Sequence, residues 1–195
     1  DLSEWDLMYY GGGPRYVHAD IHQINFKPND YSAISVTSDG GIFYSNNSSA
    51  SSQDIIFNER NKGYNTLQFY TCDISPIEYG DIYVGGLQDN GTLVSGDLND
   101  NDGEFDIMDM ISGGDGAYCF FDDNDPLLIT STYYNYYFLF NIEDNSYAYA
   151  NGNSGVFINP SDYDSNNNIL YANKVRFNGN HANKIVKIEN INPNN

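Results

Sequence analysis

Apolar residues along this chain come in short runs that alternate with polar ones and stop at Gly, Asn, Asp or Pro. The stretches INFKPND (24–30), CDISPIEYGD (72–81), CFFDDNDP (119–126) and VFINPSDYD (156–164) each lead an apolar run into a Pro/Asp/Asn turn. Each is followed by a second β-rich run: YSAISVTSDGG, DIYVGGLQDNG, LLITSTYYNYY and ILYANKVRFNG. These end at turn signals, Asp39-Gly40-Gly41, Asp89-Asn90-Gly91, Asn135-Tyr136 and, less clearly, Asn173-Lys174. Third runs follow at IFYSNN, TLVSGD, FLFNIED and KIVKIEN, and fourth runs at DIIFNERN and EFDIMDMI. No segment carries a helical period of 3.6, so the pattern reads as strands throughout.

The runs also recur. Pro28 and Pro76 lie 48 residues apart, Cys72 and Cys119 lie 47 apart, and the last unit is shorter. Four short strands in about 45 residues, repeated, are the pattern of a β-propeller blade. The expectation is an all-β chain, a β-propeller portion of about four blades of short antiparallel strands. The approximate blades are 15–60, 64–111, 112–150 and 151–192, in a single region spanning 1–195 that belongs to a longer chain.

Composition narrows the partners. The 195 residues include 18 Tyr and 11 Phe but one Trp, a bias that suits pleated surfaces. Eight Lys and Arg face 27 Asp and Glu, a formal net charge of -19. Nucleic acid and anionic membrane surfaces both call for cationic patches, so neither is an expected partner. No apolar run is long enough to span a bilayer. Two cysteines make neither a disulfide framework nor a closed zinc site; both are read as buried thiols at the same register of neighbouring blades.

Several residues could carry chemistry. Asp20, Gln68 and Asp115 each stand six positions before a residue of a first strand, Phe26, Ile74 and Phe121. They are expected as a polar ring at one mouth of a propeller channel. One reading has the carboxylates accepting backbone N–H groups and tying blades together. A second has them holding Ca2+, a hard cation that takes several oxygen ligands. A third makes Asp20 and Asp115 a catalytic pair, since glycoside hydrolysis needs two carboxyl groups across the scissile bond. His18 and His22 flank Asp20, and in a strand all three would share one face. They are expected to wire the blade seam, with a ligand site as the alternative. Asp39 and Asp89 read as turn residues, Asp89 also as a ligand contact. The run YYNYYFLF (133–140) either packs the core or offers rings to sugars.

The order VHADIH, SDGGIFYS, LQFYTCDISP, GGLQDNGT and GGDGAYCFFDDNDP resembles the sortilin-like and BNR-type (Asp-box-related) propeller proteins secreted by Bacteroidetes, in a superfamily shared with xyloglucanase-type glycoside hydrolases. The resemblance covers most of residues 15–175. It implies a secreted or cell-surface protein that binds a glycan or an extracellular protein, with further blades of the parent chain as partners. The alternative it implies is one part of a two-lobed hydrolase of β-glucans or xyloglucan, whose acid and base come from different lobes. The chain departs from the Asp-box: SNNSSASS (45–52) has lost the Asp, the Gly and the following Trp. Arg15, Arg60 and Arg176 stand in unrelated registers, which argues against the arginine cluster of a sialidase. The expected function is therefore a non-catalytic binding or adhesion scaffold.

Overall fold

A computed structural model describes residues 1–63, 67–95, 108–152, 154–176 and 183–191. The chain is all-β and divides into two compact units, Asp1–Thr66 and Leu67–Asn195. Among the described residues no helix is long and apolar enough to cross a membrane. His181, a loop histidine by sequence, and the start of the run EFDIMDMI lie outside the described residues.

The first unit holds one antiparallel sheet, sheet 1, of β1 (Ile21–Lys27), β2 (Asp30–Ser38), β3 (Gly41–Ser45) and β4 (Asn58–Glu59), paired in chain order. A 3-10 helix at Trp5–Tyr10 precedes it. Its core is Val17, Ile34, Val36, Phe43, Ile55 and Phe57, so the two middle strands supply the centre and flanking segments cover one face. The fourth run, DIIFNERN, contributes only Asn58 and Glu59 as strand. Ile55 and Phe57 instead fill the core from the segment before it.

The second unit holds three sheets. Sheet 2 is β5 (Phe69–Ile74), β6 (Tyr83–Leu87), β7 (Thr92–Ser95) and β8 (Asp109–Ser112). Sheet 3 is β9 (Cys119–Phe121), β10 (Leu127–Ser131), β11 (Tyr136–Asn141) and β12 (Tyr147–Asn151). Sheet 4 has three strands, β13 (Ser161–Asp164), β14 (Ile169–Asn173) and β15 (Ile185–Glu189). Within each sheet the named strands pair antiparallel with their neighbours in the chain, and tight turns join β2 to β3, β6 to β7 and β10 to β11.

Alternation assigns the two faces of sheet 3. Leu128, with Cys119 and Phe121, packs on Val84 and Val94 of sheet 2 and on Ile82 just before β6. Leu127 and Ile129, with Tyr137 and Leu139, pack on Leu170 and Ala172 of sheet 4. Strand β10 is buried along its whole length, which is why it reads LLITS without polar alternation. The first strands of sheets 2 and 3 lie side by side: the Cys119 N–H donates to Thr71 Oγ1 at 3.2 Å and the Phe121 N–H to Asp73 Oδ2 at 2.7 Å. These partners are separated by 48 residues, so the repeat seen along the sequence is a neighbour relation in space.

The cysteines need a correction. Both are free; Cys119 is buried as expected, but Cys72 is exposed. Thr71 and Asp73 turn toward sheet 3, so alternation sends Cys72 to the other face of β5. Burial pushes the Cys119 thiol up to about 12, with the nearby Asp73 charge adding to it.

Two outcomes follow from this packing. Gly86 stands where a Cβ would come within 2.2 Å of the Ala117 carbonyl oxygen, so Gly86→Ala forces backbone apart and is expected to lower unfolding free energy by about 2 kcal/mol in a denaturant titration. A raised thiol pKa means that the folded chain keeps a proton which the unfolded chain releases. The stability linked to Cys119 is therefore intact below the ordinary thiol value of 9.0 and is lost as pH rises toward about 12. Unfolding curves at pH 8 and pH 11 should show that loss, and Cys119→Ala should reduce the difference between them.

Candidate functional site

The HADIH segment does not form the single strand face that alternation suggested. Strand β1 begins only at Ile21, because Asp20 takes a left-handed backbone with φ of 55° and breaks the extended run. The pairing of β1 on β2 also shifts register between Ile21 and Gln23. The three side chains consequently part. His18 is buried, and its ring covers Gly40 so closely that a Cβ there would lie 2.3 Å from it. Asp20 and His22 are exposed. His22 Nε2 meets Asp39 Oδ1 at 2.7 Å, which ties β1 to the turn after β2. The carboxylate oxygens of Asp20 and Asp39 come within 4.8 Å of each other. Asp39 is thus more than a turn residue: within its own unit it pairs with His22 and faces a second carboxylate.

In the second unit the chemistry gathers at the turns joining the second and third strands. Asp89 sits in the β6–β7 turn with φ of 60°, a left-handed position that Asp tolerates and that fits the expected turn role. Its N–H donates to Asp115 Oδ1 at 3.2 Å. Asp115 is 7% exposed and lies in the segment leading into sheet 3, where the Gly91 N–H donates to the Gly114 carbonyl and the Gly116 N–H to the Leu87 carbonyl. Tyr70 hydrogen-bonds the Asp115 carboxylate as well. Burial first, then the charges of Asp115 and Asp89, hold the Tyr70 phenol above the ordinary tyrosine range. Gln68 adjoins the same turn through its backbone, its carbonyl accepting the Gln88 N–H at 3.0 Å. Asp115, Asp89 and Gln68 therefore converge within this unit, and Asp20 belongs to the other one.

The next junction uses amides in the same role, and sequence reading passed over them. Asn135, in the β10–β11 turn with φ of 61°, is 1% exposed. It accepts from Tyr137 Oη at 2.9 Å and from Asn159 Nδ2, and donates to the Asn173 carbonyl at 2.9 Å. Asn159, in the segment leading into sheet 4, also donates to the Asn173 carbonyl at 3.0 Å and accepts the Val156 N–H at 2.9 Å. A buried neutral side chain that both donates and accepts suits a junction without charge. The signal available was positional: Asn135 holds the register of Asp39 and Asp89.

The Tyr-rich run divides between its two expected roles. Tyr137 and Leu139 are core, whereas Tyr136, Phe138 and Phe140 occupy the opposite face of β11 and Tyr133 is 41% exposed. A shallow depression of 480 Å³ on sheet 4, lined by Asp162, Tyr171, Lys184 and Ile185, contains none of the candidate residues.

What the arrangement can do chemically is clearest at Asp115. A carboxylate that already accepts a backbone N–H and a phenol is held to orient a turn. Asp115→Ala leaves the Asp89 N–H and the Tyr70 hydroxyl short of an acceptor and is expected to cost about 2 kcal/mol of stability. Asp115→Asn keeps an acceptor oxygen and should retain most of it, as chemical denaturation of the two variants would show.

No protein-family model matches the chain, and no curated protein matches it in sequence.

Proposed function

We propose that this chain is a β-propeller portion that works as a non-catalytic, secreted or cell-surface scaffold for binding or adhesion. The four antiparallel meanders, three of them stacked face to face in one unit, support the architecture. The observation that carries the functional reading is the burial of Asp115, 7% exposed and engaged by the Asp89 N–H and Tyr70. A general acid or base must reach substrate; this carboxylate faces the β6–β7 turn of the neighbouring sheet. The BNR-type resemblance adds the expectation of a glycan or extracellular protein as ligand.

The test is reducing-sugar release from a panel of soluble β-glucans by the full-length folded protein. No release is expected. Release that vanishes in a folded Asp115→Asn or Asp20→Asn variant would replace this reading with a glycoside hydrolase.

A divalent cation such as Ca2+ is a second reading, favoured by the approach of the Asp20 and Asp39 carboxylates within 4.8 Å. Two carboxylates are fewer oxygens than Ca2+ takes, so carbonyls or water would complete its shell. On this reading calcium raises the unfolding temperature and a chelator lowers it; the same midpoint under both conditions would remove it.

A further inference from the structure

Sheet 3 has an aromatic face that the proposed scaffold role does not by itself explain. Tyr136, Phe138 and Phe140 of β11 stand half-buried on the face opposite Tyr137 and Leu139, the face that carries Leu128, and Phe140 packs against the core shared with sheet 2. Tyr149 and Tyr147 of β12 pair with Phe138 and Phe140 across the strands, so the five rings share that face. They form one contiguous set. Phe138 lies 5.2 Å from Tyr149 and 5.5 Å from Tyr136, Phe140 lies 6.2 Å from Tyr147, and Tyr147 lies 5.5 Å from Tyr149. The outer two rings are the most accessible: Tyr147 is 58% exposed and Tyr149 is 53% exposed. Their planes meet at 84°, so together they make a two-walled corner.

The charge around this corner is one-sided. The turn that joins β11 to β12 carries Glu143 and Asp144, both exposed, directly beside the Phe140–Tyr147 pair. Burial and the charges of Glu78, Glu143, Asp125 and Asp122 raise the phenol of Tyr79, which places those carboxylates around the same end of the unit. Between Lys62 and Lys174 the sequence has no Lys, Arg or His, while most of its 27 Asp and Glu lie in that stretch. Sheets 2 and 3 thus contain no cation of their own to neutralise these carboxylates or to occupy the ring faces.

We infer that the aromatic face of sheet 3, bordered by Glu143 and Asp144, docks a basic polypeptide segment, with Tyr147 and Tyr149 receiving an Arg side chain. The inference rests on the scaffold reading and names its partner class. Ring faces attract guanidinium and ammonium groups, and the planar guanidinium also stacks on them. The surrounding carboxylates steer a basic partner and add ion pairs at the rim. Two rings at a right angle fit a compact cationic group better than the flat face of a sugar, which asks for a single open platform.

The experiment uses the whole chain and a fluorescein-labelled octa-arginine peptide read by anisotropy. Octa-lysine, octa-glutamate and the neutral oligosaccharide cellohexaose serve as comparators. Octa-arginine is expected to bind more tightly than octa-lysine, octa-glutamate not at all, and added salt to weaken binding. Tyr147→Ala/Tyr149→Ala, two exposed positions, should weaken octa-arginine binding about tenfold while circular dichroism stays unchanged. Glu143→Gln/Asp144→Asn, on a turn where Asn can still accept the Ser146 N–H, is a second variant and should weaken it about threefold. Unchanged affinity in both variants would overturn the proposal in favour of general attraction to a polyanion. Ring-dependent binding of cellohexaose with ring-independent binding of peptide would overturn it in favour of a glycan. Release of sugar from β-glucans would overturn the scaffold reading and leave this titration untouched.

Discussion

The two-sided burial of sheet 3 is the constraint on which the larger unit depends. An isolated four-stranded meander can hide one face with its own loops, as sheet 1 does with Val17, Ile55 and Phe57. Strand β10 has no such option, because Leu127 and Ile129 point one way and Leu128 the other. The fold must therefore supply a sheet on each side, and the apolar contacts of sheets 2 and 4 both run through sheet 3. Burial of this kind is non-directional. It favours stacking but does not by itself set how far one sheet slides over the next.

Polar junctions provide that direction. At one end the first strands are bonded through Thr71 and Asp73, and at the other the turn at Asp89–Gly91 is bonded to the segment 114–116. The next junction repeats the device with Asn135 and Asn159 in place of carboxylates. Each such group is buried or half-buried among partners that exist only when two sheets are in register, so a slip leaves it unpaired, at a cost of a few kcal/mol for the buried ones. The candidate chemistry and the stitching are consequently the same residues. A carboxylate in a turn can look catalytic along the chain and be an anchor in space.

The charge distribution has a different consequence. Structural carboxylates such as Asp115 and Asp122 are buried and bonded within the fold, whereas Glu143 and Asp144 border exposed rings. With no basic residue between Lys62 and Lys174, the strands of sheets 2 and 3 supply no cation to offset those carboxylates. A binding surface assembled this way needs no cleft; it needs rings held by a sheet whose other face packs against sheet 4.

Local rules were enough to read much of this from sequence. Alternation, turn residues and the recurrence near 47 residues located the strands, the turns at Asp39, Asp89 and Asn135, and the chain-order pairing, because each depends on neighbours within a few residues. Face assignments that hinge on one φ value or on a partner sheet were decided only in three dimensions. Asp20 left the strand because its backbone turned left-handed, which parted it from His18 and His22. Cys72 and Cys119 share a register but not a burial, since burial depends on what packs beyond the strand. Asn135 and Asn159 looked like loop polarity and became a hub because tertiary packing closed over them. The run 133–140 announced aromatic strand residues; which rings became core and which stayed half-buried was settled by sheet 4 covering one face of β11.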